Sequence, residues 1–124
     1  MTSLPIGLFD GLVNINTLYL FGNQLFTLNE SIFDNLFYSL TVLVLADNEF
    51  NTLSSRLFHD IQSLRRLYLN GNKLIALNEG IFNGPSSLNL LWMHDNCLKS
   101  LQNGVSNGLV NLYVLHLYGN QLET

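Results

Sequence analysis

Leucines and their substitutes recur along the chain in the order L-x-x-L-x-L-x-x-N-x-L, most plainly in Leu64 to Leu74, LRRLYLNGNKL. The same frame fits Ile15 to Leu25, Leu40 to Phe50, Leu88 to Leu98 and Leu112 to Leu122. Its asparagines, Asn23, Asn48, Asn72, Asn96 and Asn120, are separated by one step of 25 residues and then by steps of 24. A period of that length marks a repeat architecture built from one coil per unit. Within each frame the L-x-L core puts leucines at every second position, so inward leucines alternate with outward residues at the period of two that strand side chains have.

A second phrase recurs between the strands: Leu4 to Leu12 (LPIGLFDGL), Leu28 to Leu36 (LNESIFDNL), Leu53 to Ile61 (LSSRLFHDI), Leu77 to Pro85 (LNEGIFNGP) and Leu101 to Leu109 (LQNGVSNGL). Its Gly, Asn, Asp and Pro content suits turns and short 3₁₀ pieces on the returning, convex side better than long helices. The second unit is one residue longer, and aligning Phe33 with Phe9, Phe58 and Phe82 puts the extra residue between Phe33 and Leu43. The segment Leu36 to Leu40 is expected to absorb it as a bulge or an extra helical residue, leaving the strand register untouched.

A single coil cannot cover its own leucines, so stacked coils share one core. Strands one coil apart then form a parallel, in-register sheet at a spacing of roughly 4.8 Å. Leu18, Leu43, Leu67, Leu91 and Leu115 are expected to form one buried column, and Leu20, Leu45, Leu69, Met93 and Leu117 the next. Phe9, Phe33, Phe58 and Phe82 make a spine that Ser106 breaks, with Val105 or Tyr113 expected to fill part of the gap. The asparagine column is structural on this reading: a carboxamide has donors and an acceptor for backbone groups of its own turn and of the neighbouring coil.

Between the inward leucines lie residues that face out from the sheet. They form three columns: Thr17, Val42, Arg66, Leu90, Val114; then Tyr19, Val44, Tyr68, Trp92, His116; then Phe21, Ala46, Asn70, His94, Tyr118. Aromatic and β-branched residues are common in strands. A contiguous exposed aromatic surface, however, marks an interaction site, and Tyr, Trp and Arg dominate binding energy. Asp47 and Asp95 stand where Gly22, Gly71 and Gly119 occur in the other repeats, and are read as turn residues, with rim charges for a partner as the alternative.

Composition narrows the partners. At 124 residues and 48% hydrophobic, the chain can bury a continuous core. Only 11% of residues are charged and the net charge is −4, which argues against a phosphate backbone as ligand. No apolar run is long enough to cross a bilayer, and no signal peptide follows Met1. Cys97, the one cysteine, cannot form an internal disulfide and sits where Gln24, Glu49, Lys73 and Gln121 sit in the other coils. It is expected to be partly exposed, with an intermolecular disulfide as the sharper alternative. His94 and His116 lie diagonally on adjacent strands, but a metal site needs three or four convergent ligands, so none is expected. No phosphate-binding loop, nucleophile elbow or H-E-x-x-H occurs. Asn29-Glu30-Ser31 is the one N-glycosylation pattern, of consequence only in a secreted chain.

The combined phrase, L-P-x-G-L-F-D-G-L followed by L-x-x-L-x-L-x-x-N-Q-L, resembles the "typical" class of leucine-rich repeat. It is most similar to the variable lymphocyte receptors of jawless vertebrates, with Toll-like receptor and Slit-type ectodomains in the same style. The resemblance implies an α/β solenoid, the leucine-rich repeat horseshoe, with a parallel β-sheet on the concave face and short 3₁₀ or irregular segments on the convex face. It implies a single solenoid segment over residues 1–124, about five repeats long, in an extracellular or cell-surface setting. It also implies a non-enzymatic recognition module without cofactor or metal. Its ligand would be a protein, which can bear glycans, held by Tyr19, Phe21, Val44, Arg66, Tyr68, Asn70, Trp92, His94, His116 and Tyr118. Neither nucleic acid nor membrane insertion is expected.

Three departures from that family stand out. The caps that close its ends are missing, the convex proline survives only as Pro5, and Ser106 replaces the spine phenylalanine. Solenoids need polar terminal units, so two expectations arise: a segment of a longer receptor-like chain, or a structural module that forms a homo-oligomer through its uncapped ends. The exposed slices would include Leu4, Leu8 and Phe9 at one end and Leu115, Leu117 and Leu122 at the other.

Overall fold

The computed structural model describes residues 3–36 and 38–123. Each L-x-L core becomes a three-residue strand: β1 (Thr17–Tyr19), β2 (Val42–Val44), β3 (Arg66–Tyr68), β4 (Leu90–Trp92) and β5 (Val114–His116). They form one parallel sheet in sequence order, with Leu18, Leu43, Leu67, Leu91 and Leu115 in register. The ladder continues past each strand: the N–H groups of Leu20, Leu45 and Leu69 each donate to a carbonyl of the next strand at 2.8 Å, and that of Met93 does so at 2.9 Å. The result is a solenoid of about four turns with almost no helix.

Among the described residues the convex side is made of turns, with one 3₁₀ turn at Asp34–Leu36. The long second unit is accommodated at the exit from this turn. In other coils the residue entering the strand frame donates to the carbonyl three back, as Leu64 does to Ile61 at 3.3 Å and Leu88 to Pro85 at 3.0 Å. In the second coil Leu40 reaches four back to Leu36, at 3.1 Å. One additional helical residue thus fits within the expected segment; Phe37, which belongs to it, lies outside the described residues.

The core runs the length of the coil. Leu43, Leu67 and Leu91 are wholly buried, as are Leu45 and Leu69 beside them. Phe33, Phe58 and Phe82 are buried in the spine, and Phe9 stacks on Phe33 with ring centroids 6.2 Å apart. Two sequence expectations need correction, and a third, that Val105 or Tyr113 fills the broken spine, holds through its first alternative. Phe9 is buried rather than part of an exposed slice, because the ring of the next coil covers it. Leu115 is 44% exposed and Leu117 half-buried, which departs from the buried columns and agrees with the expected end slice, because no strand lies beyond β5 among the described residues to complete either column. At the broken spine Val105 turns inward and is buried, whereas Tyr113 is 86% exposed and fills nothing. Its position immediately before β5 directs it out to solvent.

The asparagines hold coil to coil. Asn48 donates through Nδ2 to the carbonyls of Leu20, Leu45 and Ala46, while its Oδ1 accepts the N–H groups of Asn23 at 3.0 Å and Leu25 at 2.9 Å. Asn72, Asn96 and Asn120 repeat this geometry, each accepting one N–H from the preceding coil. The satisfaction reading is therefore correct, and it has a direction: the carboxamides of Asn48, Asn72, Asn96 and Asn120 reach back toward β1, while that of Asn23 stays within its own turn.

Candidate functional site

The outward columns assemble on the concave face because the register is exact. Val42 pairs with Arg66 and Val44 with Tyr68, so each outward residue stands beside its counterpart one coil away. At the β5 side the rings interlock. Tyr68 meets Trp92 edge-on at 4.8 Å, Trp92 stacks on His116 at 5.0 Å, and His94 stacks on Tyr118 at 4.5 Å. The two imidazoles are 5.5 Å apart. At the other edge Tyr19 and Phe21 form an edge-on pair at 6.3 Å.

The ten residues singled out by sequence differ in accessibility. Tyr19, Phe21, Arg66 and Tyr118 are exposed, whereas Val44, Tyr68, Asn70, Trp92 and His116 are half-buried against their neighbours. His94 is buried, at 8% exposure, because Trp92, His116 and Tyr118 all pack on its ring. Within the cluster Asn70 Oδ1, Trp92 Nε1, His94 Nδ1 and His116 Nδ1 are buried without a hydrogen-bond partner among the described residues.

Between the ring clusters the face dips. A pocket of about 320 Å³ opens over Val42, Val44 and Ala46, with Tyr19 on one side and Tyr68 and Trp92 on the other. Thr17, Val42 and Ala46 were outside the set that sequence reasoning selected, although small residues flanked by rings in the same columns are a legible signal for a depression. A second hollow, about 340 Å³, lies at the entry side of the strands against Arg65, Asn89 and Tyr113. Residues just before the strands escaped the column analysis altogether.

Charge is distributed unevenly across the face. The fifteen outward strand and post-strand positions include one basic residue, Arg66, and no acidic one. The acids stand on the far rim, where Asp47 and Asp95 adopt φ of 55° and 57° and donate their N–H groups to the carbonyls of Asn70 and Tyr118. They are turn residues, as read from sequence, and their side chains remain exposed. Farther along the rim, Glu49 pairs with Lys73, and the hydrogen bond and charge of Glu49 raise the lysine pKa. Cys97 is half-buried and unpaired. Among the described residues no three His, Cys, Asp or Glu side chains converge as metal ligands, and no helix is long and apolar enough to cross a membrane.

A family model described as "Leucine rich repeat" matches residues 14–74 and 63–122. No curated protein matches the chain. Among solved structures, the crystal structure of the APL1 leucine-rich repeat domain superimposes with a TM-score of 0.93 at 26% identity. That match covers 100% of this chain but only 32% of the other.

Proposed function

We propose that this chain, which belongs to the leucine-rich repeat family, is a non-enzymatic recognition module that binds a protein ligand on its concave face. Leucine-rich repeat domains are a common protein-interaction fold, and the fold alone leaves the binding face open. One observation carries the choice of face: the contiguous ring surface from Tyr68 through Trp92 and His116 to Tyr118, locked by centroid distances of 4.8 to 5.6 Å. Rings held in place by one another lose little freedom on binding, so their contact area converts efficiently into affinity.

The exposed residues Tyr19, Arg66 and Tyr118 are the anchors, with Phe21, Val44, Tyr68, Asn70, Trp92 and His116 as the surrounding surface and His94 as support. Extracellular or cell-surface placement follows the family style and is part of the same proposal. The test is capture of a partner by the native chain and by a Tyr68→Ala, Trp92→Ala double variant whose fold is checked by circular dichroism. Tyr68 and Trp92 are the central rings of this surface, and truncating a central interface aromatic typically costs about 2 kcal/mol or more, so capture should collapse. A variant that retains every partner removes the concave-face reading.

A further inference from the structure

β2 differs from its neighbours in what it turns outward. Val42, Val44 and, just beyond the strand, Ala46 are small, while β1 and β3 present Tyr19 and Tyr68 at the level of Val44. The pocket of about 320 Å³ is the consequence, and it lies at the small end of the range of roughly 300–1,000 Å³ for ligand pockets. Its valine and alanine floor and ring walls suit one bulky apolar side chain.

The register fixes what stands next to that side chain. Arg66 pairs with Val42, one outward position before Val44, so it sits two residues, roughly 6.6 Å, upstream of the pocket centre. Arg66 is exposed and forms no ion pair with a carboxylate among the described residues. The acids Asp47 and Asp95 occupy the opposite rim. An anionic group is thus attracted at the Arg66 end of the pocket and repelled at the other. In an extended segment, side chains two residues apart point the same way at this same spacing.

We infer that the pocket receives a bulky apolar side chain of an extended protein segment whose acidic side chain, two residues away, pairs with Arg66. This rests on the concave-face reading and adds to it the chemistry of the partner: an acidic-x-apolar motif or its reverse, with the acid directed away from Asp47. The pairing is a charge-assisted contact that an arginine makes with either carboxylate residue.

The probes are two capped peptides, acetyl-Gly-Glu-Gly-Phe-Gly-amide and acetyl-Gly-Phe-Gly-Glu-Gly-amide, titrated into isotope-labelled protein by NMR. One order should shift the methyl signals of Val42, Val44 and Ala46. Replacing Glu by Gln should weaken it about two- to fivefold, as for a solvent-screened ion pair, and replacing Phe by Ala by about tenfold or more. Arg66→Gln should erase the difference between Glu and Gln peptides, and Val44→Phe should abolish the shifts by filling the pocket. Should Val44→Phe fail to fold, Arg66→Gln still decides the matter.

The inference is overturned if neither order shifts the pocket methyls, if Glu and Gln peptides bind equally, or if a folded Val44→Phe protein still responds there. Shifts confined to Trp92, His116 and Tyr118 would overturn the pocket assignment and leave the concave-face reading standing. Shifts confined to the convex turns would count against both.

Discussion

Replacing Asn48 by alanine should destabilise the solenoid far more than the same change at Asn23, although the two asparagines occupy the same position of the repeat. Asn48 is 5% exposed, and its Oδ1 is the acceptor for two N–H groups, those of Asn23 and Leu25. Alanine leaves both without a partner, at about 1–3 kcal/mol each. The carbonyls bonded by Nδ2 suffer less, since Leu20 is also reached by Asn23 and Leu45 by Asn72. The expected loss is about 3–5 kcal/mol, a large part of the roughly 5–15 kcal/mol by which domains are stable.

At Asn23 the amide only donates, to the carbonyls of Leu20 and Phe21 at 3.0 and 3.2 Å, and the site is partly solvated. Its removal should cost about 1 kcal/mol or less. Urea unfolding followed by Trp92 fluorescence and far-ultraviolet circular dichroism measures both. An Asn48→Asp variant adds a second arm, because a carboxylate accepts the two N–H groups but faces three carbonyls and burial. Burial raises such a carboxyl pKa in the folded state. The folded state then binds the extra proton, so stability of this variant should rise as pH falls toward the carboxylate range. Losses at Asn48 and Asn23 within about 0.5 kcal/mol of each other, the usual scatter of such values, would refute the view that the asparagines work by accepting N–H groups from the preceding coil.

Gly71→Ala should cost more than Gly22→Ala. Both sit near φ of 70°, but a methyl at Gly71 would meet Asp47 Oδ1 at 2.1 Å whereas Gly22 faces open space. The left-handed backbone accounts for about 1–2 kcal/mol at either site, and the difference between them should shrink in an Asp47→Gly background, read as thermal midpoints. Phe58→Ala, at a fully buried spine position, should cost about 3–5 kcal/mol in urea unfolding. Ser106→Ala, at an exposed one, should change stability by less than about 0.5 kcal/mol. The Lys73–Glu49 pair raises the lysine pKa, so any stabilisation it gives is complete at neutral pH and fades only as pH climbs past the ordinary 10.5. Because the lysine is exposed, Lys73→Ala should leave the midpoint unchanged at neutral pH in both low and high salt.

Sequence alone determined the coil. Residues at a period of 24 that must be buried, such as Leu43, Leu67 and Leu91, admit only stacking, and stacking of identical frames forces the register that pairs Val44 with Tyr68 and Tyr68 with Trp92. The asparagine column and the turn role of Asp47 and Asp95 were equally legible, because each depends on local backbone geometry repeated in every unit. What the period could not express is anything that differs between one coil and the next. Burial of Phe9 depends on which ring lies on it, and accessibility of His94 on three rings from two strands. The pocket over Val44 belongs to the same class: Val42, Val44 and Ala46 become a depression only once Tyr19 and Tyr68 stand on either side. A repeat sequence dictates positions along the coil, whereas volume between side chains is a property of neighbours across it, and that is settled in three dimensions.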